Sequence, residues 1–490
     1  MNIITGLGPN DGWGTSSETQ CQRGMMSFMF TELGPERKPA YKLVIFAVAI
    51  VSAFGFGVMA LKAPRAEPEL RAQDTLARLA VRPARPDVVI VALDQNSVQQ
   101  YGPIKSWPRS MLAAGLRRVE SGKPSAVVLD LALTQRTHSG DESLWQTMAN
   151  SRNVLLGMAF NADRPQSYTP DDIRSLVFLE KYALAGNLTL GGQLQQFPYF
   201  LFEPPMSDFT GSARGVGVFD RETDPDGVVR QARLFYRSMV QYPAPTKPLR
   251  GKFPQSQLDD GKPVALTNLA LMTALADFHV DKDVVEVSSG NQVSIAGNLT
   301  PPVQIPINTQ GMMSVRYAAP GAFTTYAFHD VVTGKVKSAV FADKTVLFGA
   351  TAPSDEAASL EMTPLGSMPR VEVTANALST ILDRSYVQVI AAQRSHLLGV
   401  MIVIGLITGL VLMMVSGVRA FLFTLLLLFV YLGFCWALFA MGHLLLPILP
   451  GVLVILTTFL ISLLLYFGPF HPTRLRASPT YMPPPSDVMR

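Results

Sequence analysis

Long apolar runs without charge alternate along this chain with one extended polar segment. Leu43–Leu61, Leu397–Gly417, Ala420–Gly442 and Leu444–Gly468 contain no Lys, Arg, Asp or Glu. At about 1.5 Å per helical residue, each can cross a hydrocarbon core about 30 Å thick. Backbone polar groups in hydrocarbon must be satisfied within their own segment, so all four are expected to be transmembrane helices. Pro447 and Pro450 are expected to kink the fourth. Gly55 and Gly57 weaken the first run, for which a secretory signal is the competing reading. The polar leader 1–42 favours an uncleaved anchor, although a start at Met25 or Met26 would shorten it.

The polar segment carries shorter periods. After a helical stalk (Leu70–Ala80, within a linker 62–85), Asp87–Asp94 and Ser125–Leu131 read as strands buried on both faces. Pro108–Glu120 has helical spacing between them, Glu142–Ala149 is helical, and Asn153–Phe160 is a third strand. Strand–helix–strand–helix–strand with short connections predicts parallel pairing, hence an α/β core. Gly215–Phe219 and Val228–Tyr236 around Asp224-Pro225-Asp226-Gly227 predict a β-hairpin. Leu266–Phe278 and Val371–Leu382 read as helices, and Thr345–Ala350 as another buried strand. Asp163–Pro205 has no clear period. The expected fold is therefore an α/β domain over 86–384, with added antiparallel hairpins, followed by spans at 397–417, 420–442 and 444–468 and a tail 469–490.

Charge gives this layout a direction. Arg23, Arg37, Lys38 and Lys42 precede the first span, Arg419 lies between the second and third, and Arg474 and Arg476 follow the fourth. The positive-inside rule then puts both termini in the cytoplasm and the domain outside, together with the turn at His443. The two cysteines, Cys21 and Cys435, lie outside the domain, so its core must hold it without disulfides. A net charge of +4, spread along the chain, gives no footprint for nucleic acid.

Candidate chemistry is sparse. Asp94 and Asp130 end buried strands, where ligands of α/β sheets bind, and with Ser97, Trp107 and Arg109 they make a candidate ligand site. Equally, an Asp after a strand caps the next helix, and Arg109 then only neutralises one of them. Asp224-Pro225-Asp226-Gly227 resembles the start of a calcium loop without its closing Glu, and Gly349-Ala350-Thr351 is a candidate anion cradle. The six histidines show no metal-spaced pair, and there is no nucleophile elbow; neither a metal, a cofactor nor an enzymatic activity is expected. Gly405 and Gly409 form a G-x-x-x-G, which serves either a dimer seam or packing within the trio of spans.

A resemblance adds to this. VIVALDQNSV (Val89–Val98), WPRSMLAAGL (Trp107–Leu116), AVVLDLAL (Ala126–Leu133), GVGVFDRETDPDGVVRQARL (Gly215–Leu234), KTVLFGATAP (Lys344–Pro353) and MTPLGSMPRVEVTANALSTIL (Met362–Leu382) occur in one order. That order is similar to the extracellular CHASE sensor domain of the second type, the sensory domain associated with cyclases and histidine kinases. The resemblance covers about Pro86–Arg384 and implies a bacterial inner-membrane receptor with a periplasmic sensor. Relatives usually continue into a cyclase or kinase, whereas this chain is expected to stop after its last span. It also departs from the pattern at Arg370, where Gly is expected, and at Thr374, where His is expected.

Two functions follow. In one, the domain binds a ligand or protein and relays it through the spans to a separate cytoplasmic effector. In the other, the domain is a contact module of a cell-envelope complex. The lipid bilayer is a partner in both. A homo-oligomer is the default for a receptor and is not read from residues, while Pro483-Pro484-Pro485 is either a docking segment or a solvated end.

Overall fold

The computed structural model describes residues 39–62, 66–136, 139–161, 174–175, 178–184, 201–219, 222–241, 261–288, 292–308, 310–389, 394–415 and 417–467. The leader, the Pro483–Pro485 tail and most of the 163–205 excursion lie outside these residues. Two compact units result: residues 61–396 with 432–449, and residues up to 60 with 397–431 and 450 onward.

The larger unit begins with α2 (Glu67–Leu79), the stalk helix that follows α1 (Pro39–Lys62) in the chain. Its sheet is built from β1 (Val88–Leu93), β2 (Ala126–Asp130), β3 (Val154–Asn161), β4 (Leu201–Glu203), β5 (Gly215–Val218), β6 (Thr324–Ala327) and β7 (Thr345–Ala350). The order β6-β1-β7-β2-β3 is parallel throughout. Beyond β3 the edge is shared by β5, parallel at Leu155–Met158, and β4, antiparallel at Ala159–Asn161. Every residue of β1, β2 and β7 is buried, as expected of a parallel strand covered on both faces. The helices of this unit include α3 (Gln95–Tyr101), α4 (Arg109–Glu120), α5 (Asp141–Ser151), α6 (Leu269–Asp277), α7 (Phe328–Val332) and α8 (Arg370–Leu382). Close approach is built into the sheet: a Cβ on Gly349 of β7 would stand 2.4 Å from Val371 of α8.

Two pairings differ from those the sequence predicts. β7 enters between β1 and β2, so the first two strands are not neighbours. The predicted hairpin across Asp224–Gly227 does not form. β5 joins the main sheet, residues 231–233 pair with 312–314, and residues 235–241 pair with 261–267. The tight turn itself is present, with the Gly227 N–H donating to Asp224 O at 2.8 Å. Its flanks diverge because each finds an apolar partner elsewhere.

Among the described residues, four helices are long and apolar enough to cross a membrane: α1, α9 (Arg394–Met414), α10 (Val418–Gly442) and α11 (Ile448–Phe467). Met414 and Phe429 are about four-fifths exposed, apolar surface that is costly to leave in water. In the smaller unit α1 and α9 run antiparallel in close contact. A Cβ on Gly405 would lie 2.7 Å from Ala53 Cβ, and one on Gly409 would lie 2.9 Å from Ala49 Cβ. The G-x-x-x-G face thus packs on the first span of the same chain.

The fourth apolar run starts as a strand rather than a helix. β9 (Leu444–Leu445) pairs in parallel with β8 (Gln388–Val389), and α11 begins only at Ile448. Pro447 precedes the helix and Pro450 is its third residue, a position whose N–H has no intrahelical acceptor, so neither proline interrupts the ladder. The turn 443–449 belongs to the larger unit, in one compact body with the domain.

Candidate functional site

The carboxyl ends of β1, β2 and β7 define the edge where α/β sheets bind ligands. At the end of β2, Asp130 is buried to 1% exposure. A bare carboxylate there would be prohibitive, and α8 supplies its partners. Arg370, the first residue of α8, donates from Nε to Asp130 Oδ1 at 2.8 Å and from Nη2 to Asp130 O at 3.1 Å. One turn later Thr374 Oγ1 donates to Asp130 Oδ2 at 2.9 Å. The guanidinium also lies over the Phe219 ring, 4.1 Å from its centroid. The two positions that depart from the resemblance are therefore the two that close on Asp130. Beside them, Thr374, Val373 and Asn268 line a cavity of about 10 Å³, room for roughly one water.

The other predicted residues take separate partners. Asp94 caps α3, accepting the Ser97 N–H at 2.9 Å and its hydroxyl at 2.6 Å. Ser97 Oγ in turn accepts the His329 N–H at 3.1 Å. Trp107 is core: its Nε1 donates to Gly102 O at 2.7 Å and its ring stacks on Phe328 with centroids 5.3 Å apart. Arg109 forms its ion pair, at 3.8 Å, with Asp141 rather than with either strand-end aspartate. Burial lowers its proton affinity, and Asp141 only partly offsets this. Asp94, Ser97 and Trp107 thus serve the α3–α7 corner, Arg109 serves α5, and Asp130 serves α8. The supposed anion cradle at Gly349-Ala350-Thr351 is filled by α8, whose Val371 occupies the space above Gly349.

Three charged assemblies escaped the sequence reading because their members are far apart in the chain. Arg230 binds Asp74 of α2 through Nε and Nη2, and Asp224 and Asp226 through Nη1 and Nη2, at 2.7 to 2.9 Å. Burial opposes its charge, but the bonds to Asp74, Asp226 and Asp224 outweigh that and raise its proton affinity. The calcium-like turn has this guanidinium as its cation. Among the described residues, no group of three or more His, Cys, Asp or Glu is placed to hold a metal ion.

The second assembly joins the entry of the domain to its exit. Arg82 donates to Asp383, just past α8, and Arg85 bridges Asp383 and Asp87. Burial draws Arg82 down to about 10 against the attraction of Asp383.

The third holds the turn 443–449. Gln388 N–H donates to His443 O at 2.8 Å, Arg316 Nη1 lies 2.8 Å from His443 Nδ1, and Glu69 of α2 accepts the N–H groups of Ile448 and Leu449 at 2.8 and 2.7 Å. An anion at those amides satisfies donors that a helix start leaves open. The signals were faint but present: an acid in an otherwise amphipathic stalk, and a histidine between two membrane runs.

The CHASE2 domain family model matches residues 45–416, from within α1 to just past α9. No curated protein and no solved structure matches the chain. With the match spanning most of its length, the α/β domain and its flanking apolar helices make this chain a member of the CHASE2 domain family, a multi-pass membrane sensory protein.

Proposed function

We propose that the protein is a receptor of the bacterial inner membrane, with its domain in the periplasm and both termini in the cytoplasm. It binds a ligand or protein partner and relays the event to a separate cytoplasmic effector, with no reaction of its own. The observation that carries this is the course of α8. It starts at the Asp130–Arg370–Thr374 cluster, ends at the Arg82–Asp383 clamp, and is followed through β8 by α9. An event at the carboxyl edge of the sheet that favours one position of α8 over another reaches the segment leading to the span, and only such a difference in affinity shifts the equilibrium.

The test is to purify full-length protein in mild detergent and identify stoichiometric partners by mass spectrometry, in parallel with Arg370→Ala. A cyclase, kinase or other regulator retained by the native chain, with regulation altered in the variant, supports the receptor. Stoichiometric envelope proteins alone would replace it with a scaffold subunit. That second reading has one observation in its favour: Leu79 on the stalk and Leu360 and Met362 on the domain are large apolar side chains about half or more exposed, as at a protein contact.

A further inference from the structure

We propose that Arg316 and His443 form an acid-released latch that holds the turn between α10 and α11 against the domain. The geometry demands a particular ring state. A guanidinium has donors only, so the His443 Nδ1 facing Arg316 Nη1 at 2.8 Å must offer a lone pair. The ring is then neutral, with its proton on Nε2. A second proton turns the acceptor into a donor and sets two cations face to face.

The surroundings favour release rather than accommodation. Arg316 is the charged group that acts on His443, and it stays protonated because Asp383 partly restores the proton affinity that burial removes. Asp383 is itself committed to Arg82 and Arg85, so it is not available as a counter-ion for an imidazolium. The carboxylate that α2 brings to the same turn, Glu69, is occupied by the amides of Ile448 and Leu449. Burial and Arg316 together hold the ring below its ordinary proton affinity. His443 also has φ +52°, a left-handed conformation that a non-glycine residue keeps only when its contacts hold it. Its carbonyl is bound by the Gln388 N–H, the first rung of the β8–β9 pair, so the latch and the strand pairing stand or fall together. The device does not depend on which ligand the domain takes.

Hydrogen exchange on the full-length protein in lipid nanodiscs tests this, comparing about pH 7.5 with about pH 5, on either side of an ordinary histidine titration. Peptides over 386–389 and 443–446 report the latch, and one over 88–93 reports the core. After correction for intrinsic rates, latch protection should fall severalfold in acid, because the second proton costs the closed state more than the open one. Core protection should hold. His443→Gln should abolish the pH step, and Arg316→Gln should shrink it. An acid step below about twofold in the native chain, or an equal step in His443→Gln, would overturn the latch. So would parallel loss at 88–93, since the change would then be unfolding rather than release.

Discussion

Arg82 and Asp383, 301 positions apart in the chain, meet at 2.8 Å where the polypeptide enters and leaves the domain. Arg82 also donates to Asn376 O and Oδ1 at 3.2 and 3.3 Å, and Asn376 Oδ1 accepts the Ala318 N–H at 2.7 Å. Replacing Arg82 with Met removes these bonds, leaves Asp383 with Arg85 alone, and should cost about 2–3 kcal/mol in urea unfolding of the solubilised protein. Asp383→Asn should cost less, since Arg82 keeps its bonds to Asn376. Equal losses in the two variants would show that the ion pair, not the Asn376 bonds, dominates.

Glu69→Ala should free the turn 443–449 at its α11 end. Two charge-assisted bonds disappear, each of the order of 1–2 kcal/mol, and the amides of Ile448 and Leu449 should exchange faster with deuterium. Glu69→Gln, which keeps one acceptor oxygen, should fall between alanine and the native residue.

The seam between α1 and α9 makes a contrast between two glycines of one helix. Gly405→Leu would drive side-chain atoms into Ala53 and the Ala49 carbonyl and should cost roughly 1–3 kcal/mol by forcing the helices apart. Gly399→Leu should be tolerated, because no atom lies within 4 Å of its built Cβ. Thermal melting in detergent separates the two, and a similar loss in both variants would argue against the seam.

Glu120, at the end of α4, is pushed by burial up to about 7, and its Oε1 has no hydrogen-bond partner. Its folded pKa lies above its ordinary 4.5, so the folded state holds the proton more tightly than the unfolded chain does. Stability is therefore full below the ordinary value and declines as pH rises towards 7. Glu120→Gln should match the native protein near pH 4 and exceed it above pH 7, by about 1–2 kcal/mol after solvent screening. Melting curves across that range check the crossover.

The parallel strands were legible because burial on both faces leaves a near-continuous run of residues without charge, as in Val88–Leu93 and Thr345–Ala350. Their order was not, since β7 reaches its place between β1 and β2 from more than 200 residues away, and no local pattern encodes that choice. Leu444 and Leu445 are apolar enough to pass for membrane helix, and only their pairing with Gln388 and Val389 separates them from it. At the site, Asp130 was visible as a strand-end acid and Arg370 and Thr374 as unusual letters. That all three meet is a property of how α8 seats on the sheet. Likewise the Asp224–Gly227 turn was readable, while its counter-ion Arg230 also depends on Asp74, 156 positions away.

The stalk has one further consequence for how motion passes along it. Glu69 and Asp74 are five residues apart on α2, about 140° around the helix at 3.6 residues per turn. One is fastened to the amides of Ile448 and Leu449 and the other to Arg230. A rod pinned on two different faces can neither spin about its own axis nor slide along it unless a pin breaks. Any displacement of α2 must therefore carry the turn 443–449 and Arg230 along with it or break one of these bonds.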